Sequence, residues 1–205
     1  METVTQYRIN LKEKILDVAM NKFLRNGVKS VKMDELSQSL GVSKRTMYEI
    51  FTDKEDLLYQ CVLKKEKTMY ARLETYEQSK AYDVIDILVE FYHMQVENFA
   101  ATSGIFLDDL SKYPRLTAYI IKLHEQRVQK SIAFFERGIA EGYFRKDLDY
   151  HLIGRLGRAT ITYIMDNRMY EEYSLKTLFH NVISLFIRGF CTPKGIEAID
   201  HKIVN

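Results

Sequence analysis

Very few residues in the chain can interrupt a helix. Only two of its 205 residues are proline, Pro114 and Pro193, and neither glycine nor proline occurs between Lys54 and Ser103. Apolar residues recur at spacings of three and four along most of the chain, and short alternating runs of β-branched residues are missing. This pattern predicts an all-α protein.

Composition is that of an ordinary globular protein, with 46% hydrophobic residues, 28% charged residues and a net charge of +2. Two cysteines, Cys61 and Cys191, are too few for a disulfide framework or a four-cysteine zinc site. The first residues lack the apolar core of a signal peptide, and no apolar run approaches the roughly 20 residues that span a bilayer. We therefore expect a cytoplasmic protein with no membrane segment.

The first fifty residues predict three helices. Asn10 is the expected cap of the first, and Asn26-Gly27 its expected end. Leu11, Ile15, Ala19 and Phe23 form its apolar stripe. The second helix is predicted over Met33–Leu40 and the third over Lys44–Ile50, with Gly41 in the turn between them and Ser43 as the cap.

A larger helical body is predicted after these three helices. Asp53 is the expected cap of a fourth helix, which belongs to both parts of the chain. The expected helices cover about 54–76, 82–101, 105–112, 114–141, 150–170 and 174–190. The sequence predicts no structure for the tail after Pro193.

Two short helices joined by a tight turn predict a helix-turn-helix, whose second helix enters the DNA major groove. The residues at the start of the third helix suit that role. Ser43 and Thr46 carry hydroxyls, Lys44 carries a charge, and Arg45 can fork onto guanine O6 and N7. Tyr48 can donate to a phosphate oxygen. A Lys-Arg pair at the start of a solvated helix is also common without DNA, so the pattern alone leaves both readings open.

The segment Ile15–Leu58 resembles the DNA-binding domain of the tetracycline-repressor (TetR) family of transcriptional regulators. The matching residues are Ile15, Leu16, Ala19, Phe23, Gly27, Leu36, Gly41, Val42, Ser43, Thr46, Tyr48, Phe51, Lys54, Glu55 and Leu57. The resemblance implies that Ser43, Lys44, Thr46 and Tyr48 lie at the DNA and that Lys54 holds a phosphate. It also implies a homodimeric regulator, most often a repressor, rather than an enzyme.

Two positions depart from the family's pattern. Arg45 stands where the family often has glycine, and the longer cation adds a possible base or phosphate contact. Lys32 stands where the family usually has Ser or Thr at the start of the second helix. This change removes a cap worth about 1 kcal/mol and adds a possible phosphate contact.

The resemblance implies two domains, a DNA-binding domain over 8–53 and a dimerisation and effector domain over 54–205. The expected dimer interface is the pair of helices at about 150–170 and 174–190, each with a wide apolar face. These faces contain Leu152, Leu156, Ala159, Tyr163 and Ile164 on one helix, and Leu175, Leu178, Phe179, Val182, Ile183, Leu185 and Phe186 on the other. Gly154 and Gly157 would permit close approach of a partner helix.

A small apolar or amphipathic effector is expected between the fourth and eighth helices. The candidate contacts combine aromatic and polar side chains. They are Tyr92, His93, Phe106, Asp109, His124 and Arg127. Each of these residues also suits an ordinary core or surface position.

Two other functions remain open from the sequence. One is a DNA-binding dimer without a small effector. The other is a helical metalloenzyme, since Glu90 and His93 have the Glu-x-x-His spacing of di-iron bundles. That class needs a second copy of the spacing, and His124, His151, His180 and His201 lack a glutamate three residues before. We therefore expect no metal and no cofactor.

Overall fold

The computed structural model describes residues 4–79 and 82–203, with side chains described except at 4, 124–130 and 203. Ten α-helices and one short 3₁₀ helix cover these residues, and Phe144 and Cys191 form an isolated β-bridge. The all-α prediction is confirmed. The α-helices are α1 (Val4–Asn26), α2 (Met33–Leu40), α3 (Lys44–Ile50), α4 (Lys54–Gln78), α5 (Val84–Ala100), α6 (Gly104–Leu110), α7 (Pro114–Ala140), α8 (Tyr150–Asp166), α9 (Leu175–Phe190) and α10 (Pro193–Ile203).

The chain divides into two compact units. The first contains residues up to Met69 together with Ala101–Thr117, and the second contains Tyr70–Ala100 and the residues from Ala118 onward. Helices α4 and α7 each contribute to both units. The first compact unit thus includes α6 as well as the helices before residue 54.

In the first unit, α1 packs through the stripe that its apolar spacing predicts. Ile15, Ala19 and Phe23 are fully buried, and Leu11 is buried as well. The start of α1 differs from the sequence prediction, since the helix begins at Val4 and Asn10 lies inside it. No proline or glycine occurs in this stretch, so nothing stops the helix from extending towards the N-terminus. Asn10 instead accepts a hydrogen bond from the side chain of Gln6.

The caps and ends of the short helices are those that the sequence predicts. Gly27 and Gly41 end α1 and α2 in the left-handed conformation, with φ of 79° and 67°. Ser43 caps α3, where its hydroxyl accepts a hydrogen bond from the backbone N–H of Thr46 at 3.0 Å. The bounds predicted for α2 and α3 are both confirmed.

The second unit has its core between α5, α9 and α10. The buried residues of this core are Val84, Ile85, Leu88, Tyr92, Phe144, Ile187, Phe190, Cys191 and Ile199. The tail forms α10, and the ammonium of Lys202 on this helix lies 2.5 Å from Asp86 Oδ1 and 3.3 Å from Asp83 Oδ1. Thus the tail, for which the sequence predicted no structure, packs as a helix of this unit.

Candidate nucleic-acid interface

Helix α3 exposes most of its short length. Among its residues only Met47 is buried, and it is fully buried. Lys44, Arg45 and Tyr48 are exposed, and half of the Tyr48 surface remains accessible. One apolar anchor therefore fixes α3 to the first unit while its cationic and phenolic side chains face outward.

The two hydroxyls of α3 are occupied with each other. Ser43 Oγ and Thr46 Oγ1 lie 2.8 Å apart, and Ser43 Oγ also receives the Thr46 backbone N–H. Both residues therefore define the start of the helix. A hydroxyl has one proton and two lone pairs, so each still has capacity for at least one more partner.

Lys44 pairs with α2 across the turn. Its ammonium lies 2.5 Å from Asp34 Oδ2. The hydrogen bond to Asp34 and the charge of that carboxylate raise the pKa of Lys44, which keeps the ammonium protonated well into the alkaline range. The pair ties the start of α3 to the first turn of α2.

Lys32 precedes α2 at the capping position, and its side chain makes no capping hydrogen bond. Its ammonium lies 3.5 Å from Glu35 Oε1, and both side chains are largely exposed. A shallow hollow of about 300 Å³ opens beside this position. Its lining consists of Lys32, Met33, Asp34, Tyr48, Asp53 and Lys54. The hollow thus brings five residues of α2 and α4, or the positions before them, next to the exposed Tyr48.

Lys54 has a different set of partners from the phosphate that the family resemblance implies. Its ammonium donates to three backbone carbonyl oxygens of the α1–α2 loop, Val28 at 3.0 Å, Val31 at 3.2 Å and Lys29 at 3.3 Å. A lysine ammonium has three protons, so these carbonyls can use all of them. A phosphate contact would therefore require one of these hydrogen bonds to be given up.

Four of the six expected effector contacts have described side chains, two in each compact unit. Phe106 and Asp109 belong to the first unit, where both are buried. Tyr92 is buried in the core of the second unit, and His93 beside it is exposed. His124 and Arg127 lie outside the residues whose side chains the structure describes.

The carboxylate of Asp109 has a backbone partner and a charged side-chain partner within the first unit. Oδ2 accepts a hydrogen bond from the backbone N–H of Lys29 at 2.8 Å, and Oδ1 lies 2.9 Å from the ammonium of Lys112. Burial alone would raise the pKa of Asp109, but the Lys29 N–H and the Lys112 charge outweigh it and lower the pKa. Sequence spacing did not suggest this contact because it joins residues that are far apart in the chain.

Tyr92 has a polar partner in the second unit. Its hydroxyl lies 2.6 Å from Nδ1 of His180 on α9, a position that the sequence analysis did not connect with an effector. The two rings meet edge to face with their centroids 5.9 Å apart. A buried phenol and an exposed imidazole are thus joined on α5 and α9.

The Glu-x-x-His pair on α5 does not have the arrangement of a metal site. Glu90 is buried and pairs with the guanidinium of Arg72, while His93 is exposed. Within the described part of the chain, no three His, Cys, Asp or Glu residues are close enough to hold a metal ion together. Among those same residues, no helix is long and apolar enough to cross a membrane.

Known proteins that are similar to this chain in sequence or structure are transcriptional regulators. The family model for the bacterial regulatory proteins of the tetR family matches residues 15–61, which include α2, α3 and the start of α4. This segment of the chain matches the TetR family. Proteins of this family are DNA-binding transcriptional regulators, and the surface of α2 and α3 described above lies within the segment that the family model covers.

Relatives extend the similarity beyond the DNA-binding segment. The transcriptional repressor KstR2 of Mycobacterium tuberculosis is 25% identical over 151 residues, which cover 71% of this chain and 75% of that repressor. A TetR-family regulator from Agrobacterium tumefaciens has a TM-score of 0.69 at 17% identity and covers 90% of this chain and 100% of its own. The fatty acid degradation regulator FadR of Bacillus halodurans has a TM-score of 0.61 at 20% identity, covering 85% of this chain and 93% of its own. These relatives are regulators and not enzymes, and the two solved structures share the fold.

Proposed function

We propose that this TetR-family regulator binds its operator as a homodimer through α3, and that it acts in the cytoplasm as a ligand-responsive repressor. The observation that carries the proposal is the exposure of α3. With Met47 as the buried anchor of α3, Arg45 and Tyr48 are exposed where a duplex could meet them. Lys32, Ser43, Lys44 and Thr46 complete the proposed DNA-binding surface. For Lys54 the three carbonyl contacts favour a structural role in holding the α1–α2 loop.

The exposed apolar face of α8 and α9 supports the homodimer. Leu152, Leu156 and Tyr163 lie on one side of α8 and are 49%, 49% and 62% exposed. Leu185 on α9 is 72% exposed. Several large apolar side chains left exposed on neighbouring helices are typical of an association surface. Space beside Gly154 suits it too, since an added Cβ there would meet no atom within 4 Å.

A twofold interface also meets the needs of DNA recognition. One short helix reads few base pairs, so two copies at half-sites one helical turn apart, about 34 Å, give a longer operator. We propose residues 8–53 as the DNA-binding part and residues 54–205 as the part that dimerises and binds the effector. Helix α4 begins at Lys54, directly after the proposed DNA-binding part, and contributes to both compact units, so a change at the effector site has a covalent route to the DNA-binding helices.

An apolar or amphipathic effector is supported by the second unit and by the names of relatives. Tyr92, in a largely apolar core, has one polar partner in the exposed His180. KstR2 is a ketosteroid transcriptional regulator, and FadR is a regulator of fatty acid degradation. A repressor of this kind loses operator affinity when the effector binds, and by linkage DNA weakens effector binding by the same factor.

Selection of duplexes from a random pool tests the DNA-binding proposal. We expect the wild-type protein to enrich a palindromic site, and Arg45→Ala and Tyr48→Phe to bind the enriched duplex more weakly. Binding of both variants equal to that of the wild type would contradict the assignment of α3. A thermal-shift screen against steroid and fatty acyl compounds tests the effector, since a ligand of the folded state raises the melting temperature.

Dimerisation has its own test. Leu185→Asp places a charge on the proposed interface and should shift the protein towards the monomer in sedimentation experiments, with weaker operator binding. Ile121→Asp is the matched control because Ile121 on α7 is also exposed, at 53%, but lies outside the α8 and α9 face. Sedimentation of Leu185→Asp as the same species as the wild type would remove this interface.

A further inference from the structure

Helix α3 carries one carboxylate, Glu49, on its exposed surface. A negative charge on a helix that approaches DNA is repelled by phosphates, so its presence calls for a specific role. The side chain of Glu49 is 45% exposed and lies one turn after Arg45. The proposal that follows rests on the DNA-binding function of α3 proposed above.

Two arginines share the carboxylate of Glu49. Arg45 Nε lies 2.9 Å from Glu49 Oε1, and Arg8 Nη2 from α1 lies 3.3 Å from Glu49 Oε2. Each carboxylate oxygen therefore has its own cation. Because Arg8 precedes Glu49 by 41 residues, this contact also ties the first turns of α1 to α3.

The contact with Arg45 leaves its outer end available. A guanidinium has five N–H donors, and the Nε–H is the one that Glu49 occupies. Four donors remain on the two terminal nitrogens, which are the pair that forks onto guanine O6 and N7. The side chain of Arg45 is 89% exposed, so these nitrogens point into solvent on the α3 surface.

We propose that Glu49 is a positioning residue for base recognition, which holds Arg45 in the orientation that reads a guanine in each half-site. An unrestrained arginine on a helix surface loses rotamer entropy when it becomes ordered on DNA. The hydrogen bond to Nε orders the side chain before DNA binds. Arg8 forms an ion pair with the second oxygen of Glu49. Two arginines and one glutamate have a net charge that is still positive, which attracts the phosphates.

Glu49 would thereby lower the affinity for DNA of any sequence and raise the preference for a site that contains the guanine. Removing its charge reduces the repulsion of every duplex. Removing its hydrogen bond with Arg45 Nε weakens the preference for guanine at one base pair. Simple repulsion predicts only the first effect, so the two effects together distinguish a positioning role from it.

The test is selection of binding sites from a random duplex pool by the wild type, Glu49→Gln, Arg45→Lys and Arg45→Ala. The wild type should enrich a guanine at one position of each half-site, and Arg45→Ala should lose that preference by about 5-fold to 150-fold, the range for one bidentate pair. Arg45→Lys keeps the charge and lacks the fork, so it should lose the preference as well. Glu49→Gln should reduce the preference at the same position while binding unselected duplexes more tightly.

Glu35→Gln is the matched control. Glu35 on α2 also pairs with a cation, because its Oε1 lies 3.5 Å from the ammonium of Lys32. The cation in this pair is Lys32 and not Arg45. This variant should bind unselected duplexes more tightly and keep the guanine preference. The double variant Arg45→Ala/Glu49→Gln should show no further loss of preference beyond Arg45→Ala, because both changes remove the same contact.

Three results would overturn the proposal while leaving DNA binding through α3 intact. They are a wild-type site without an enriched guanine, an unchanged guanine preference in Glu49→Gln, and a change in Glu49→Gln at a different base pair. The last result would mean that Glu49 reads a base itself. If the wild type enriches no sequence and binds no duplex at low salt, the proposed function fails first, and the role of Glu49 fails with it.

Discussion

The carboxylate of Asp109 on α6 accepts a hydrogen bond from the backbone N–H of Lys29, at 2.8 Å, in the loop between α1 and α2. The same loop receives the ammonium of Lys54 on three carbonyl oxygens. An acceptor from α6 and a donor from α4 thus hold the segment that leads into α2. Residues beyond the helix-turn-helix therefore help to fix its geometry.

Asp109→Ala should lower the free energy of unfolding by about 1–3 kcal/mol, because it leaves the Lys29 N–H without its acceptor. Urea denaturation followed by circular dichroism measures this change. Lys112→Ala is the matched control, since it removes the exposed cation and keeps the acceptor for Lys29. Equal stability losses in the two variants would show that the backbone hydrogen bond contributes nothing of its own.

The stabilising effect of Asp109 should depend on pH in the acid range. Burial acts to raise the pKa of Asp109, but the Lys29 N–H and the Lys112 ammonium lower it overall. A carboxyl group with a lowered pKa binds fewer protons when folded, so its stabilisation is complete above the ordinary pKa of about 3.9 and is lost as the pH falls below it. The stability difference between the wild type and Asp109→Asn should therefore shrink from pH 6 to pH 3. A difference that grows towards acid would contradict the assignment.

Two serine caps offer a comparison between structure and DNA binding. Ser43 caps α3 and Ser174 caps α9, and each accepts the backbone N–H of a threonine three residues on, at 3.0 Å and 3.1 Å. Each Ser→Ala change should lower the free energy of unfolding by about 1 kcal/mol. Only Ser43→Ala should also weaken operator binding in an anisotropy titration. Equal operator affinity for both variants would argue against a role of the α3 cap in DNA recognition.

The role of Lys54 is decided by the dependence of DNA binding on salt. We expect Lys54→Met to lower the free energy of unfolding and to leave the slope of log K against log salt unchanged. Lys44→Met changes an exposed lysine on the proposed DNA surface, and its slope should fall by about one unit. A fall of the same size for Lys54→Met would restore the phosphate contact that the family resemblance implies.

Local signals in the sequence were sufficient for most of the first unit. Caps, left-handed glycines and apolar spacing act within a few residues, so the bounds of α2 and α3 were predictable, as was the buried stripe of α1. The start of α1 was not, because Asn10 is a good cap only if the helix begins there. The uninterrupted residues before it extend the helix instead.

Contacts between distant parts of the chain were beyond the sequence. Asp109 is a polar candidate for the effector pocket by sequence, and in the structure its carboxylate accepts a hydrogen bond from a loop residue 80 positions away. The link from Arg8 to Glu49 and the link from Tyr92 to His180 are of the same kind. Such pairs depend on how helices pack, which periodicity along one helix does not specify.

Hydrogen–deuterium exchange of the wild-type protein, with and without a duplex that it has selected, tests the central claim most directly. If α3 is the surface that binds DNA, the duplex should slow exchange in the segment 32–54 at low salt. Protection confined to the second unit, or no protection anywhere in the presence of saturating duplex, would contradict the account.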